Sequence, residues 1–124
     1  MSALPPSQDK VLAVGPLEVI PSEHLARVDG HVLTLSLIEL RMLTGLARRA
    51  DKIVSRQELS TEVWGRELRS GDRSVDVYVH KLRVKLEDAL PGWSFIHTHS
   101  GFGYRLSPQS PRRKRTSKSA ATST

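Results

Sequence analysis

One short pattern, Ser-x-x-Glu, occurs twice and fixes where helices can begin: Ser36-Leu37-Ile38-Glu39 and Ser55-Arg56-Gln57-Glu58. In each copy the serine oxygen can accept from the backbone N–H of the glutamate, while the carboxylate reaches back to the N–H of the serine. Donors that a helix start otherwise leaves orphaned are satisfied reciprocally, and such a cap is worth roughly 0.5–2 kcal/mol. Apolar pairs, Leu35 with Leu40 and Val54 with Leu59, stand where a hydrophobic staple would clamp each helix start. The two boxes predict helices over about 37–49 and 56–63, joined by a short extended link at 52–54. The first can bury Leu40, Leu43, Leu46 and Ala47. Trp64-Gly65 ends the second, 66–71 reads as a loop, and a third helix runs from Asp72 or Arg73 to about Ala89, stopped by Pro91-Gly92.

The segments on either side have a different period. Segments 11–14 and 17–20 are strand-like and separated by Gly15-Pro16, and 26–28 and 32–34 flank Asp29-Gly30, a dipeptide that favours a tight hairpin. Past the third helix, Ile96 and Thr98 alternate on one face, 100–103 turns, and Tyr104 and Leu106 return to that face, which makes 93–106 a β-hairpin. The fold class predicted is α+β: an N-terminal four-stranded antiparallel sheet, three helices and a C-terminal hairpin. A capped helix, a short turn, a longer helix and a following hairpin make a winged helix-turn-helix. Residues 10–107 form this domain, residues 1–9 a disordered lead-in, and residues 108–124 a disordered, Ser-, Thr-, Pro- and Lys/Arg-rich tail that cannot bury a core.

Composition narrows the function classes. The 124 residues contain no cysteine, which excludes disulfides, thiolate metal sites and thiol nucleophiles. The first residues lack the charged-then-apolar pattern of a secretory signal, and no apolar run approaches about 18 residues. A cytoplasmic, nucleoid-associated protein is the expectation. The formal charge of +6 is misleading, because Arg112, Arg113, Lys114, Arg115 and Lys118 stand in the tail without an acidic neighbour. Without those five, 14 basic residues face 13 acidic ones. Net charge therefore does not make the folded part a nucleic-acid binder; arrangement must.

The third helix supplies that arrangement. At 100° per residue, Val75, Val79, Leu82 and Leu86 form one apolar stripe. Opposite lie Arg73, Val77, His80, Lys81 and Val84, with Asp76 and Arg83 on one shoulder and Tyr78 and Lys85 on the other. The plain alternative is a solvated surface helix with an ordinary charge run. A solvated face, however, seldom carries two valines beside several cationic or imidazole groups. A groove-reading face does: Lys81 and His80 can reach base edges, and the methyls of Val77 and Val84 can pack on thymine methyls. Asp76 can accept from cytosine N4 or orient a basic neighbour.

Other constellations are weaker. His97 and His99 share a strand face at a spacing that can bind metal, but no third ligand is evident and outward polar residues are expected on a wing. Gly101 and Gly103 lack the third glycine and the helix of a dinucleotide loop. No nucleophile, base and orienter can be assembled, so no enzyme, cofactor or metal is expected. The run Arg112–Arg113–Lys114–Arg115 is either a solubilising tail or, as preferred here, an arm that tracks phosphates.

The spaced combination Ser55-Arg56-Gln57-Glu58-Leu59, Val63-Trp64-Gly65, Arg73-Ser74-Val75-Asp76-Val77, Lys81-Leu82-Arg83 and Gly101-Phe102-Gly103-Tyr104-Arg105-Leu106 resembles the OmpR/PhoB-type winged-helix effector domain. The resemblance implies a third helix in the major groove and a wing, here His99, Ser100 and Phe102, at the minor groove. It implies Lys81 and Val77 as base contacts, and Arg73, Tyr78 and Arg83 as phosphate contacts; Lys85 on the neighbouring shoulder joins them as a candidate. It further implies direct-repeat sites bound by head-to-tail pairs, and the loop 65–71 turned toward RNA polymerase. Two departures stand out. The wing position that is often arginine in that family is Ser100, and a serine cannot enter a narrow minor groove as a cation does. The receiver domain usual in the family has no counterpart in this sequence, so either a stand-alone regulator or an effector fragment of a longer chain is expected. A winged helix that docks on polymerase or another protein, and an architectural protein held on DNA by its tail, remain the competing readings.

Overall fold

A computed structural model describes residues 11–111. Four strands come first: β1 (Leu12–Val14), β2 (Leu17–Ile20), β3 (Leu25–Val28) and β4 (His31–Val32), paired antiparallel in that order. The β3–β4 turn uses Asp29 at φ 51° and Gly30 at φ 83°, the two positive φ values of the tight hairpin that this dipeptide favours. β4 is shorter than the expected 32–34. Leu33 still donates its N–H to the Ala26 carbonyl, 2.9 Å, but the Thr34 carbonyl accepts from the Lys85 ammonium instead, and the chain then turns into a helix cap.

Both capping boxes form as the sequence predicts. Ser36 caps α1 (Leu37–Arg48) and Ser55 caps α2 (Arg56–Trp64), with the reciprocal serine and glutamate bonds present in each. Helix α1 buries most of its circumference, including Met42, Thr44 and Gly45 beside the expected Leu40, Leu43, Leu46 and Ala47. A helix apolar nearly all round belongs at the centre of its domain. Here α1 lies between the N-terminal sheet, whose Val14, Leu17, Val19, Ala26 and Val28 are buried, and the third helix, α3 (Ser74–Ala89).

The link at 52–54 becomes a strand, β5 (Ile53–Val54), and joins the C-terminal hairpin of β6 (Ser94–His99) and β7 (Gly103–Gln109) in a sheet of order β5-β7-β6. Ile96 faces Leu106 and Thr98 faces Tyr104, the alternation expected from the sequence. Strand β7 continues to Gln109, past position 107, because Ser94 on β6 pairs with Gln109. The lead-in 1–9 and the tail cations Arg112, Arg113, Lys114 and Arg115 lie outside the described residues. Among those residues no helix is long and apolar enough to cross a membrane, and no group of three or more His, Asp or Glu could hold a metal ion.

Candidate nucleic-acid interface

Helix α3 is anchored by its buried stripe. Val75, Val79 and Leu82 are fully enclosed and Leu86 is nearly so, which leaves the opposite face no choice but solvent. Burying four aliphatic side chains at about 1.5–3 kcal/mol each fixes the helix rotation far more firmly than any surface charge could. Arg73, His80 and Lys81 are exposed, and Val77 and Val84 are each 46 % exposed. These are the five residues expected on the outward ridge. Lys81 Nζ lies 5.2 Å from the centre of the Tyr78 ring, which steadies the ammonium while leaving its donors to solvent. Tyr78 is half-buried and leans on Trp64 of α2, ring centroids 5.9 Å apart.

The shoulder residues also make contacts within the protein. Lys85 donates to Glu39 Oε1 at 2.7 Å and to the Thr34 carbonyl at 2.8 Å. The Glu39 side chain is 6 % exposed, and a carboxylate so placed requires a cation. Burial acts to raise the Glu39 pKa, yet the bonds from Lys85 and from the Ser36 N–H hold it below the ordinary value. Arg83 reaches sideways rather than out. Its Nε and Nη2 donate to the Ile96 carbonyl at 3.1 and 2.9 Å, and Nη2 also donates to Thr98 Oγ1 at 2.6 Å. It thereby ties α3 to β6.

Asp76 is engaged as well. Its Oδ1 accepts from Arg56 Nε at 2.8 Å and from the Tyr104 hydroxyl. Of the two roles open to it, base acceptor or orienter of a basic group, its contacts are those of an orienter, and the group oriented is Arg56 on α2. The guanidinium carbons of Arg56 and Arg83 lie 5.5 and 5.7 Å from the Tyr104 ring centre. One carboxylate and one phenol thus join α2, α3 and the wing. Burial acts to raise the Asp76 pKa, but the Tyr104 and Arg56 hydrogen bonds outweigh it and the carboxyl is held low. Burial and the same carboxylate push Tyr104 up, and the bond to Asp76 raises Arg56. Sequence reasoning saw Arg56 only as part of a cap and Tyr104 only as an inward strand residue; no spacing rule joins positions so far apart.

The wing and the loop complete the surface. His99 and Ser100 open the hairpin turn and Phe102 closes it, its N–H donating to the His99 carbonyl at 2.8 Å. The Arg105 guanidinium donates to His99 Nε2 and to Asp51 Oδ1, both at 3.1 Å, and His97 Nε2 donates to the Ser107 carbonyl at 2.7 Å. The two imidazoles therefore bond separate partners within the wing. The segment between α2 and α3 is held at both ends: Gln57 Oε1 accepts from the Leu68 N–H, Ser60 donates to the Arg66 carbonyl, and Asp72 accepts from Ser74.

Residues 30–106 match the family model described as "Transcriptional regulatory protein, C terminal". The sensory transduction protein RegX3 of Mycolicibacterium smegmatis is 32 % identical over 100 residues, covering 81 % of this chain and 44 % of that protein. The transcriptional regulatory protein CpxR of Escherichia coli K12 is 38 % identical over 95 residues, covering 77 % and 41 %. The chain thus spans less than half the length of these two relatives. Among solved structures, the DNA-binding domain of CpxR from E. coli superposes with a TM-score of 0.72 at 35 % identity, covering 79 % of this chain and 96 % of that one. The Klebsiella pneumoniae RstA DNA-binding domain, in complex with the RstA box, gives 0.71 at 32 % identity, covering 79 % and 97 %.

Proposed function

Since this chain belongs to the OmpR/PhoB-type family of transcriptional regulatory protein C-terminal domains, we propose that it is a transcription regulator that binds double-stranded DNA in a sequence-specific manner. The observation that carries the reading is the outward ridge of α3, in which two half-exposed valines alternate with Arg73, His80 and Lys81 above a fully buried aliphatic stripe. Set in a major groove, Lys81 donates to guanine O6 or N7, the methyls of Val77 and Val84 meet thymine methyls, and His80 reads an adjacent edge. Arg73, at the start of the helix, meets a phosphate, as does the edge of Tyr78. Asp76, Arg83 and Lys85 act through the protein: they set the angle of α3 against the wing and the N-terminal sheet.

The finer assignments rest on the family. Head-to-tail pairs on direct repeats, and the loop 65–71 facing RNA polymerase, are the arrangement this fold ordinarily supports. The folded part, close to neutral by count, favours a binder whose affinity comes from placed contacts rather than from bulk charge.

The test is selection of duplexes from a randomised library, followed by comparison of the recovered sequence with random DNA at about 0.15 M salt. A ratio of about a thousandfold or more is expected. A ratio near one points instead to an architectural protein held by its basic tail, and no binding to either duplex points to a protein-docking module.

A further inference from the structure

A groove of about 370 Å³ lies between α3 and the start of β6, from His80 to Asp88. Val84, Trp93, Phe95 and Ile96 supply its apolar lining, and Glu87 and Asp88 stand exposed at its rim. We propose that the basic segment 112–118 of this same chain docks in that groove, laying arginine side chains on the Trp93 ring with their guanidinium groups beside the two carboxylates. The consequence rests on the DNA-binding reading above. His80 and Val84 line the groove and also belong to the outward ridge, so a duplex must displace the segment.

The chain leaves the described residues at Pro111, which packs against Gly92: a Cβ on Gly92 would lie 3.1 Å from Pro111 Cγ. Gly92 adjoins Trp93, so the segment starts at one end of the groove. Seven extended residues span about 23 Å, whereas the helix from His80 to Leu90 rises only about 15 Å. The segment can therefore run the length of the groove, and its tether at Pro111 keeps it there at high effective concentration.

The chemistry of the two surfaces matches. The last turn of α3 carries no basic residue, so its terminal carbonyls, with Glu87 and Asp88, present a negative potential. Two cations of the helix are committed elsewhere, Arg83 to the Ile96 carbonyl and Lys85 to Glu39. The segment brings Arg112, Arg113, Lys114, Arg115 and Lys118, and no acidic residue. Trp93 is half-buried and stacked on Phe95, ring centroids 5.9 Å apart and planes at 23°. A planar, weakly hydrated guanidinium stacks well on such a ring, and its methylene stem covers the apolar lining beside it.

The experiment compares the full chain with a full chain carrying Arg112→Gln, Arg113→Gln, Lys114→Gln and Arg115→Gln, at about 0.05 M salt, where screening is weak. Without DNA, nuclear magnetic resonance reads the Trp93 indole N–H, identified by its loss in Trp93→Phe. That signal should differ between the two chains, and about 0.5 M salt should move the parent's signal toward the variant's. With the duplex recovered by selection, the variant should bind at least about threefold tighter, the gain expected if the segment fills the groove about two-thirds of the time. A Trp93 signal unmoved by the four substitutions overturns the proposal. So does duplex binding that they weaken, with a salt slope lower by up to about 3.6, since those cations then lie on phosphates. If selection recovers no duplex, the DNA-binding reading fails, and the Trp93 signal alone decides whether the segment docks.

Discussion

The Tyr104 hydroxyl on the wing donates to the Asp76 carboxylate in the first turn of α3. Arg56 donates to the same oxygen from α2. The wing and α3 are thus locked together through one acceptor. Tyr104→Phe removes a donor from a carboxylate that is largely sheltered, and should cost about 1–2 kcal/mol of stability by urea denaturation. A stability within a few tenths of a kcal/mol of the parent would show that the bond does not contribute.

Four carboxyls, Glu39, Glu58, Asp72 and Asp76, are held below their ordinary values and shape the acid limb of stability, and Glu39 and Asp76 are the most sheltered of them. Asp76 and Glu39 both have folded-state pKa values below their ordinary ones. The stability they provide is present above the unfolded-state values, about 3.9 for Asp and 4.3 for Glu, and is lost as pH falls through the lower folded-state values. Unfolding free energy should therefore decline below about pH 4. Asp76→Asn should flatten that decline, whereas an acid limb identical to the parent's would remove Asp76 from the account.

Arg73, at the N-cap of α3, and Lys85, within the helix, are both cations and should behave oppositely. Lys85→Ala leaves the Glu39 carboxylate buried without its cation and should cost about 1–3 kcal/mol in stability, with the salt slope of DNA binding nearly unchanged. Arg73→Ala, at an exposed cation, should leave stability alone and lower the slope by about 0.9. Thermal melts and salt titrations on the same preparations separate the two effects.

Lys81→Ala should relax base preference at one position of the selected site, at a cost of about 1–3 kcal/mol in discrimination. Repeating the selection with this variant is the check. Recovery of an unaltered motif would take Lys81 out of base recognition.

Gly103→Ala should destabilise the domain by more than about 2 kcal/mol, since the added methyl meets the Val54 backbone rather than a side chain that could move. An unchanged melting temperature would mean that the wing base can shift to make room.

Local chemistry was legible from the chain. The paired Ser-x-x-Glu caps placed α1 and α2 because a cap is a contact among four consecutive residues. The period of α3 separated a buried stripe from an outward ridge because helix geometry alone decides which residues share a face. The Asp29-Gly30 turn declared itself because few dipeptides tolerate two positive φ values.

What periodicity could not supply was the identity of each long-range partner. Lys85, Arg83 and Asp76 stand on a helical wheel at the margin of the outward ridge, and their charges alone do not name a partner. Only packing brought Glu39, Ile96 and Tyr104 within their reach. The link at 52–54 likewise became a strand only because β7 lay beside it, offering backbone partners that no two-residue segment can provide for itself. Sequence set the helices and the face α3 shows to solvent, because those depend on neighbours a few residues apart. The tertiary structure decided which side chains of α3 are bound within the protein, because that depends on groups the chain brings together from distant positions.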